Sequence, residues 1–174
     1  LGMENYRQLF SPETELGRWL LARNTMLRIG RNLFVHAGLS ARLLERDLEM
    51  DTLNARMSEG LYRTSKERRE DPTLEFLYRS AGPVWYRGMV CTDEKYDPLT
   101  PEQTDALLRR YDADRLLVGH TIFPDISTFH DGRVIAVNVQ NELNRRKNRG
   151  RAVLIEGSRI SVVGNRGVKR VLEE

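Results

Sequence analysis

Two patterns of apolar residues alternate along the chain. In one, a short apolar run ends at a turn residue or a histidine. In the other, apolar residues recur at helical spacing. The short runs have the length of single β-strands, whereas the wider spacing is that of amphipathic helices. Turn residues such as Gly30 and the pair Asp131-Gly132 separate neighbouring runs, so we expect three β-hairpins and one further strand. The predicted strands cover residues 25–29, 33–35, 115–118, 126–129, 134–139, 152–155 and 160–163.

Capping residues mark the expected starts of the helices. Pro12, Pro72 and Pro101 each follow a residue that can cap a helix, and proline fits the first helical position because no amide hydrogen bond is needed there. Ser40 is expected to cap another helix, which extends with breaks towards residue 62. Residues 3–10, 64–71 and 141–151 and the C-terminal tail are predicted to be loops. The pattern predicts one mixed α/β domain over residues 1–174, helical in its middle and rich in strands in its C-terminal third.

Composition narrows the possible partners. With 40% hydrophobic and 30% charged residues, the 174-residue chain is globular rather than disordered. Its net charge is only +3, because acids nearly balance an arginine-rich basic set, and we therefore expect no nucleic-acid partner. No apolar run approaches the length of a membrane span, so no membrane partner is expected and a cytoplasmic location is predicted. Cys91 is the only cysteine, which rules out an internal disulfide and a cysteine-cluster metal site.

Three residues are candidates for chemistry. His36 and His120 each end an apolar strand, where a ring nitrogen can reach a metal ion or a phosphate, although each alone also fits a core histidine satisfied by backbone groups. Arg87 lies in the segment 82–88, where two glycines and a proline predict a stiff irregular loop, although alone it also fits a structural ion pair. Imidazoles suit a divalent metal and a rigid guanidinium suits phosphate oxygens, so together they are parts for metal-assisted phosphate ester hydrolysis.

Other candidates have simpler interpretations. Cys91 is expected to be an ordinary half-buried thiol rather than a nucleophile, because the sequence offers it no clear histidine partner. His130 is expected to be an exposed turn histidine rather than a metal ligand. Tyr86 is expected to pack beside Trp85, and the basic run at residues 145–151 is expected to be a solvated loop.

Three segments resemble motifs of calcineurin-like metallophosphoesterases, in the family's order. Residues 34–40 are similar to the histidine-glycine-leucine-serine motif of the branch that includes phosphoprotein phosphatases, diadenosine tetraphosphate hydrolases and Shewanella-like phosphatases. Residues 118–121 resemble that branch's later glycine-histidine motif, and residues 82–88 resemble the tryptophan-x-arginine-glycine segment of the Shewanella-like group. The likeness spans roughly residues 11–138.

The resemblance implies a fold and a role for each candidate. The fold would be a four-layer sandwich of two mixed β-sheets flanked by helices. His36 and His120 would ligate one of two divalent ions (Mn, Fe or Zn), and Arg87 would bind the substrate phosphate. The family hydrolyses phosphomonoesters by attack of a metal-bridging hydroxide, so a serine/threonine phosphatase-like activity on a phosphorylated protein or a small phosphoester is expected.

The family's aspartate-x-histidine, glycine-aspartate-x-x-aspartate-arginine-glycine and glycine-asparagine-histidine-glutamate motifs do not occur in this sequence. We therefore expect the 174 residues to be the C-terminal part of a metallophosphoesterase domain, holding only part of the metal site and nearly inactive alone. The alternative is a truncated or decayed homologue that acts as a non-catalytic binding module.

Overall fold

The computed structural model describes residues 2–173. Within that range the helices are α1 (Met3–Leu9), α2 (Glu15–Leu21), α3 (Arg42–Glu45), α4 (Met50–Gly60), α5 (Ser65–Arg69), α6 (Pro72–Tyr78), α7 (Pro101–Arg110) and α8 (Asn141–Arg146), with short 3-10 turns at Glu94–Tyr96 and Asn165–Gly167. The strands are β1 (Met26–Ile29), β2 (Asn32–Val35), β3 (Arg115–Val118), β4 (Ser127–Phe129), β5 (Val134–Ala136), β6 (Ala152–Glu156), β7 (Arg159–Val163) and β8 (Lys169–Glu173). None of these helices is both long and apolar enough to cross a membrane.

The strands form two sheets. Five of them pair in the order β1-β2-β3-β5-β4, in which β2, β3 and β5 run parallel and the two edge strands run antiparallel to their neighbours. Strands β6, β7 and β8 form a separate antiparallel sheet. The mixed α/β class is therefore confirmed, and so are all three hairpins.

Alternate residues of the central strands pack into two different cores, because successive side chains of a strand point to opposite faces. Leu116 and Val118 of β3 join the core under the helices, with Leu53 and Leu107. Leu117, which lies between them in the sequence, packs instead against Ile160 of the smaller sheet. The five-stranded sheet is thus the middle layer between the helices and the three-stranded sheet.

Part of the sheet face opposite the helices remains exposed. Leu27 and Ile29 of the edge strand are 43% and 60% exposed, and Val137 just beyond β5 is 36% exposed. Leu27 is paired with Phe34, which packs into the smaller core, so these apolar side chains continue the same face. A contiguous apolar surface of this kind is typical of a place where more protein packs.

Several predicted boundaries are wrong for a local reason. Residues 3–10 form α1 rather than a loop, and the next helix is capped by Thr14 rather than Ser11, because the Thr14 side chain accepts a hydrogen bond from the Gly17 amide. The Ser40 hydroxyl donates to the Ala81 carbonyl oxygen at 2.8 Å instead of capping a helix. The expected long helix is divided into α3 and α4, with Asp47 between them in the left-handed region at φ 47°.

Three segments predicted to be loops contain regular structure. Residues 64–71 include α5, which begins at a capping box formed by Thr64 and Glu67. Residues 141–151 include α8, and the C-terminal tail contributes β8. The basic run is only partly solvated, because Arg151 is partly buried and its Nε donates to Asp125 Oδ1 at 2.7 Å.

Candidate functional site

Parallel pairing brings the two candidate histidines to one edge of the sheet. Val35 of β2 lies beside Val118 of β3, so the residues that follow each strand emerge at the same end. The Gly119 amide donates to the His36 carbonyl oxygen at 2.8 Å, which continues the pairing one step beyond the strands. Ligand sites of layered α/β proteins lie at this carboxyl end of parallel strands.

The His36 and His120 side chains are in direct contact. His36 Nε2 lies 3.2 Å from His120 Nδ1, and the ring centroids are 5.0 Å apart. The His120 backbone has φ 61°, in the left-handed region that residues other than glycine seldom adopt. Strain of this kind persists where the surrounding structure enforces it, and it is concentrated at functional sites.

The surroundings of His120 favour a neutral imidazole. Burial lowers the pKa of His120 below its ordinary value, and the electrostatic influence of Arg87 and of the neighbouring His36 lowers this pKa further. Neutral imidazole is the form that coordinates a metal ion. His120 Nε2 is buried and has no hydrogen-bond partner among the described residues.

The loop at residues 82–88 is hydrogen-bonded to the segment that follows β2 and carries His36. The Ala37 amide donates to the Pro83 carbonyl oxygen at 3.0 Å, and the Tyr86 side chain is 2% exposed. The Tyr86 hydroxyl donates to the Asp97 carbonyl oxygen. A Cβ at Gly88 would collide with both of these groups, so a larger residue there would disrupt the loop. The predictions that this segment is an irregular loop and that Tyr86 is packed are confirmed.

Arg87 projects from this loop towards the second histidine segment. Its Nη1 donates to Thr121 Oγ1 at 3.1 Å, and Thr121 directly follows His120. No carboxylate pairs with Arg87 among the described residues, so the structural ion pair that was its simpler interpretation does not form. Arg87, His36 and His120 are therefore brought together, as their order in the sequence predicted.

Two nearby residues belong to the quoted motifs but were not predicted to take part in the site. Trp85 is 55% exposed and contacts His120 in a perpendicular arrangement, with ring centroids 5.6 Å apart. Thr121 orients the Arg87 guanidinium. Trp85 and Thr121 stand close to Arg87 and His120 in the sequence, which is a signal that they belong to the site. Which residue each side chain contacts depends on how the loop folds, and the sequence does not show this.

His130 is half-buried and contacts other parts of the chain through both ring nitrogens. Its Nε2 lies 3.1 Å from the Met89 carbonyl oxygen, and its Nδ1 lies 3.2 Å from Thr104 Oγ1. Thr104 is fully buried in α7. His130 therefore connects α7 to the residues that follow Arg87, and the prediction of a solvated turn histidine is wrong.

The histidine pair fits part of a metal site. Two nitrogens that each lie about 2.1 Å from a tetrahedral or octahedral ion are about 3.0–3.4 Å apart, and the observed separation is 3.2 Å. In the part of the chain that the structure describes, no group of three or more His, Cys, Asp or Glu side chains could hold a metal ion. The two imidazoles thus fit as neighbouring ligands of one ion but do not make a complete set.

Three solved structures match nearly the whole chain. One, described as a cold-active protein tyrosine phosphatase, is 29% identical with a TM-score of 0.86, and the match covers 97% of this chain and 48% of that one. A structure of the cold-active protein-tyrosine phosphatase of a psychrophilic Shewanella species is 28% identical, with a TM-score of 0.85 and the same coverage. A point mutant of a cold-active protein tyrosine phosphatase matches equally well, at 28% identity and a TM-score of 0.85.

Over 97% of its length the chain shares its fold with part of these phosphatase structures. It spans about half the length of the phosphatase structures that it matches. No family model matches the sequence, and no curated protein matches it either.

Proposed function

We propose that this chain contributes part of the active site of a metal-dependent phosphatase that hydrolyses phosphate monoesters. The observation that carries the proposal is the contact between His36 Nε2 and His120 Nδ1 at 3.2 Å. It puts two ring nitrogens at the spacing of neighbouring metal ligands, with an arginine that has no carboxylate partner in the described chain on the adjacent loop.

The ordered resemblance of residues 34–40, 82–88 and 118–121 to calcineurin-like metallophosphoesterases supports the same interpretation. One of the matched structures comes from a Shewanella species, and the loop at residues 82–88 resembles the Shewanella-like group of that family. We propose that the chain forms the C-terminal part of such a domain. The exposed apolar face at Leu27 and Ile29 is the surface on which we expect the rest of the domain to pack.

Each residue has a distinct part in the proposed reaction. His36 and His120 would hold a divalent ion, and the left-handed backbone of His120 would help to set the direction of its ring. A bound divalent ion would neutralise negative charge on the phosphoryl group and lower the pKa of bound water. Arg87, oriented by Thr121, donates to the phosphate oxygens and stabilises the charge that develops as the ester bond breaks.

We propose a phosphorylated protein as the substrate, with tyrosine phosphate as the favoured group. All three matched structures are described as protein tyrosine phosphatases, which favours tyrosine over the serine or threonine expected from the sequence alone.

The two imidazoles need acidic or amide partners to complete the site, and we propose that residues outside these 174 supply them. The test is hydrolysis of p-nitrophenyl phosphate with added Mn²⁺, by this chain and by the protein extended upstream. We expect little activity from the 174 residues and full, chelator-sensitive activity from the longer protein. Robust activity of the short chain would contradict the partial-site proposal.

A Cys91 variant distinguishes a metal-dependent mechanism from one that uses a thiol nucleophile. A phosphatase with a thiol nucleophile would lose activity in a Cys91→Ser variant and would tolerate a chelator, whereas the metal-dependent proposal expects the reverse. Cys91 is half-buried and free.

A non-catalytic binding module is the second candidate. The observation that favours it is the incomplete donor set among residues 2–173. If the upstream-extended protein holds no metal and hydrolyses no phosphate ester, while the 174-residue chain still binds phosphorylated peptides, this second candidate is the better account.

A further inference from the structure

A cleft of about 690 Å³ lies beside the loop that carries Arg87. Its walls come from the start of α3, the end of α6, the loop at residues 82–88 and the 3-10 turn Glu94–Tyr96. Trp85 and Arg87 both line it. The cleft therefore shares Arg87 with the candidate site, although neither candidate histidine lines it.

Trp85 differs from its neighbours in this loop because its side chain is exposed. Its neighbour Tyr86 is 2% exposed, whereas Trp85 is 55% exposed although it belongs to the same stiff segment. Its amide donates to the Gly82 carbonyl oxygen at 3.1 Å, and its ring is held perpendicular to that of His120. The indole is thus fixed in place beside the site while much of its surface faces solvent.

The other aromatic side chains of the cleft have less free surface than Trp85, because Tyr86 is 2% exposed and the Arg68 guanidinium lies over the Tyr78 ring, 3.9 Å from its centroid. The Tyr78 hydroxyl donates to the Met57 carbonyl oxygen, and the Tyr86 hydroxyl donates to the Asp97 carbonyl oxygen. The Tyr96 ring lies under the Lys95 ammonium group, 4.8 Å from the ring centroid.

The charges at the cleft largely cancel. Arg79 pairs with Glu75, and Lys95 pairs with Asp93. Asp97 adds a negative charge to the lining, which opposes the positive charge of Arg42. A strongly acidic ligand therefore gains little here beyond its phosphate group. The aromatic surface that remains free to contact a ligand is that of Trp85.

We propose that Trp85 stacks on the aromatic ring of an aryl phosphate, such as the side chain of phosphotyrosine, while Arg87 binds the phosphate. Trp85 is then a specificity-determining residue that favours aryl over alkyl phosphates. Aromatic pairs contribute enough beyond their buried area to give a preference of roughly 3- to 10-fold. This inference rests on the proposed function, because it assumes that Arg87 binds the substrate phosphate.

A binding measurement on the 174-residue chain tests the proposal without requiring hydrolysis. Phenyl phosphate and glycerol phosphate are titrated separately, and the shift of the Arg87 amide signal is followed by two-dimensional NMR. We expect phenyl phosphate to bind roughly 3- to 10-fold more tightly. Trp85→Ala should abolish that difference, and Trp85→Phe should retain part of it.

Trp19 provides a matched control, because it is 54% exposed but lies in α2. Trp19→Ala should leave the aryl preference unchanged. Equal affinities of the two phosphates in the unsubstituted chain, or an aryl preference that survives in Trp85→Ala, would overturn the proposal.

A kinetic measurement separates this inference from the proposed function. In the upstream-extended protein, the ratio of kcat/KM for phenyl phosphate to that for glycerol phosphate should fall roughly 3- to 10-fold in Trp85→Ala. If that protein shows no metal-dependent hydrolysis, the proposed function fails, and the NMR titration alone decides the role of Trp85.

Discussion

His36 Nε2 and His120 Nδ1 lie 3.2 Å apart although 84 residues separate them in the sequence. The contact exists because two parallel strands end side by side, and because the backbone turns into the left-handed region at His120. Two imidazoles placed in this way compete for one proton or share one cation. Their contact, and the loop that carries Arg87, determine how the chain should respond to substitution, pH and metal ions.

Arg87→Ala should weaken phosphate binding without unfolding the chain. Hydrogen bonds to charged groups are worth about 1.5–3 kcal/mol, so we expect the affinity for inorganic phosphate to fall about tenfold or more. Arg87→Lys should recover only part of the affinity, because an ammonium group cannot form the paired contacts of a guanidinium. Phosphorus NMR titration measures the change.

Arg109→Ala is the matched control for Arg87, because Arg109 is an exposed arginine in the last turn of α7. This control should bind phosphate as the unsubstituted chain does. An equal loss in both variants would indicate that general charge, rather than the Arg87 site, attracts phosphate.

His130→Ala should destabilise the connection between α7 and the Arg87 loop. Removal of this partly buried hydrogen-bond partner leaves groups such as the Met89 carbonyl oxygen unsatisfied, at a cost of about 1–3 kcal/mol in the free energy of unfolding. Urea denaturation measures this change. Thr104→Val removes the contact to His130 Nδ1 and also the hydrogen bond that Thr104 Oγ1 donates to the Thr100 carbonyl oxygen at 3.1 Å, but it leaves the contact between His130 and Met89 in place. A His130→Ala variant as stable as the unsubstituted chain would contradict the expected role of the Met89 contact.

Stability should decrease as the pH falls through the titration range of histidine. The pKa of His120 in the folded chain lies below its ordinary value of 6.5, so the unfolded chain binds the proton more readily. The loss of folding stability is therefore absent well above pH 6.5 and grows as the pH falls below that value. Urea denaturation at neutral and mildly acidic pH measures it.

His120→Asn is the variant that isolates this effect, because asparagine tolerates the left-handed backbone and does not titrate. Its stability should depend less on pH over the same range. An unchanged pH dependence would assign the effect to other groups.

The sequence predicted the helix caps and tight turns that depend only on residues close together in the chain. Thr100 and Asp71, the residues before Pro101 and Pro72, cap their helices as expected, because each cap depends on residues within one helical turn. The tight turn at Gly30, with φ 58°, likewise forms the expected hairpin. The convergence of His36, Arg87 and His120 was also predictable, from motif order and from strands that end at the same edge.

Long-range contacts determine what the sequence did not reveal. Ser40 has the chemistry of a helix cap, but its hydroxyl donates to a carbonyl oxygen 41 residues away. His130 has the sequence context of a turn residue, but its partners, Met89 and Thr104, lie 41 and 26 residues distant. The exposure of Trp85 was likewise not predictable, since its neighbour Tyr86 has similar chemistry and is buried.

The most direct test of the central claim is the binding of Mn²⁺ to the 174-residue chain, followed through paramagnetic broadening of amide signals by NMR. We predict that broadening is strongest at His36, Gly119 and His120, that His36→Ala or His120→Ala removes it, and that Arg87→Ala preserves it. Broadening centred elsewhere, or broadening that persists unchanged in both histidine variants, would contradict the assignment of His36 and His120 as ligands of one metal ion.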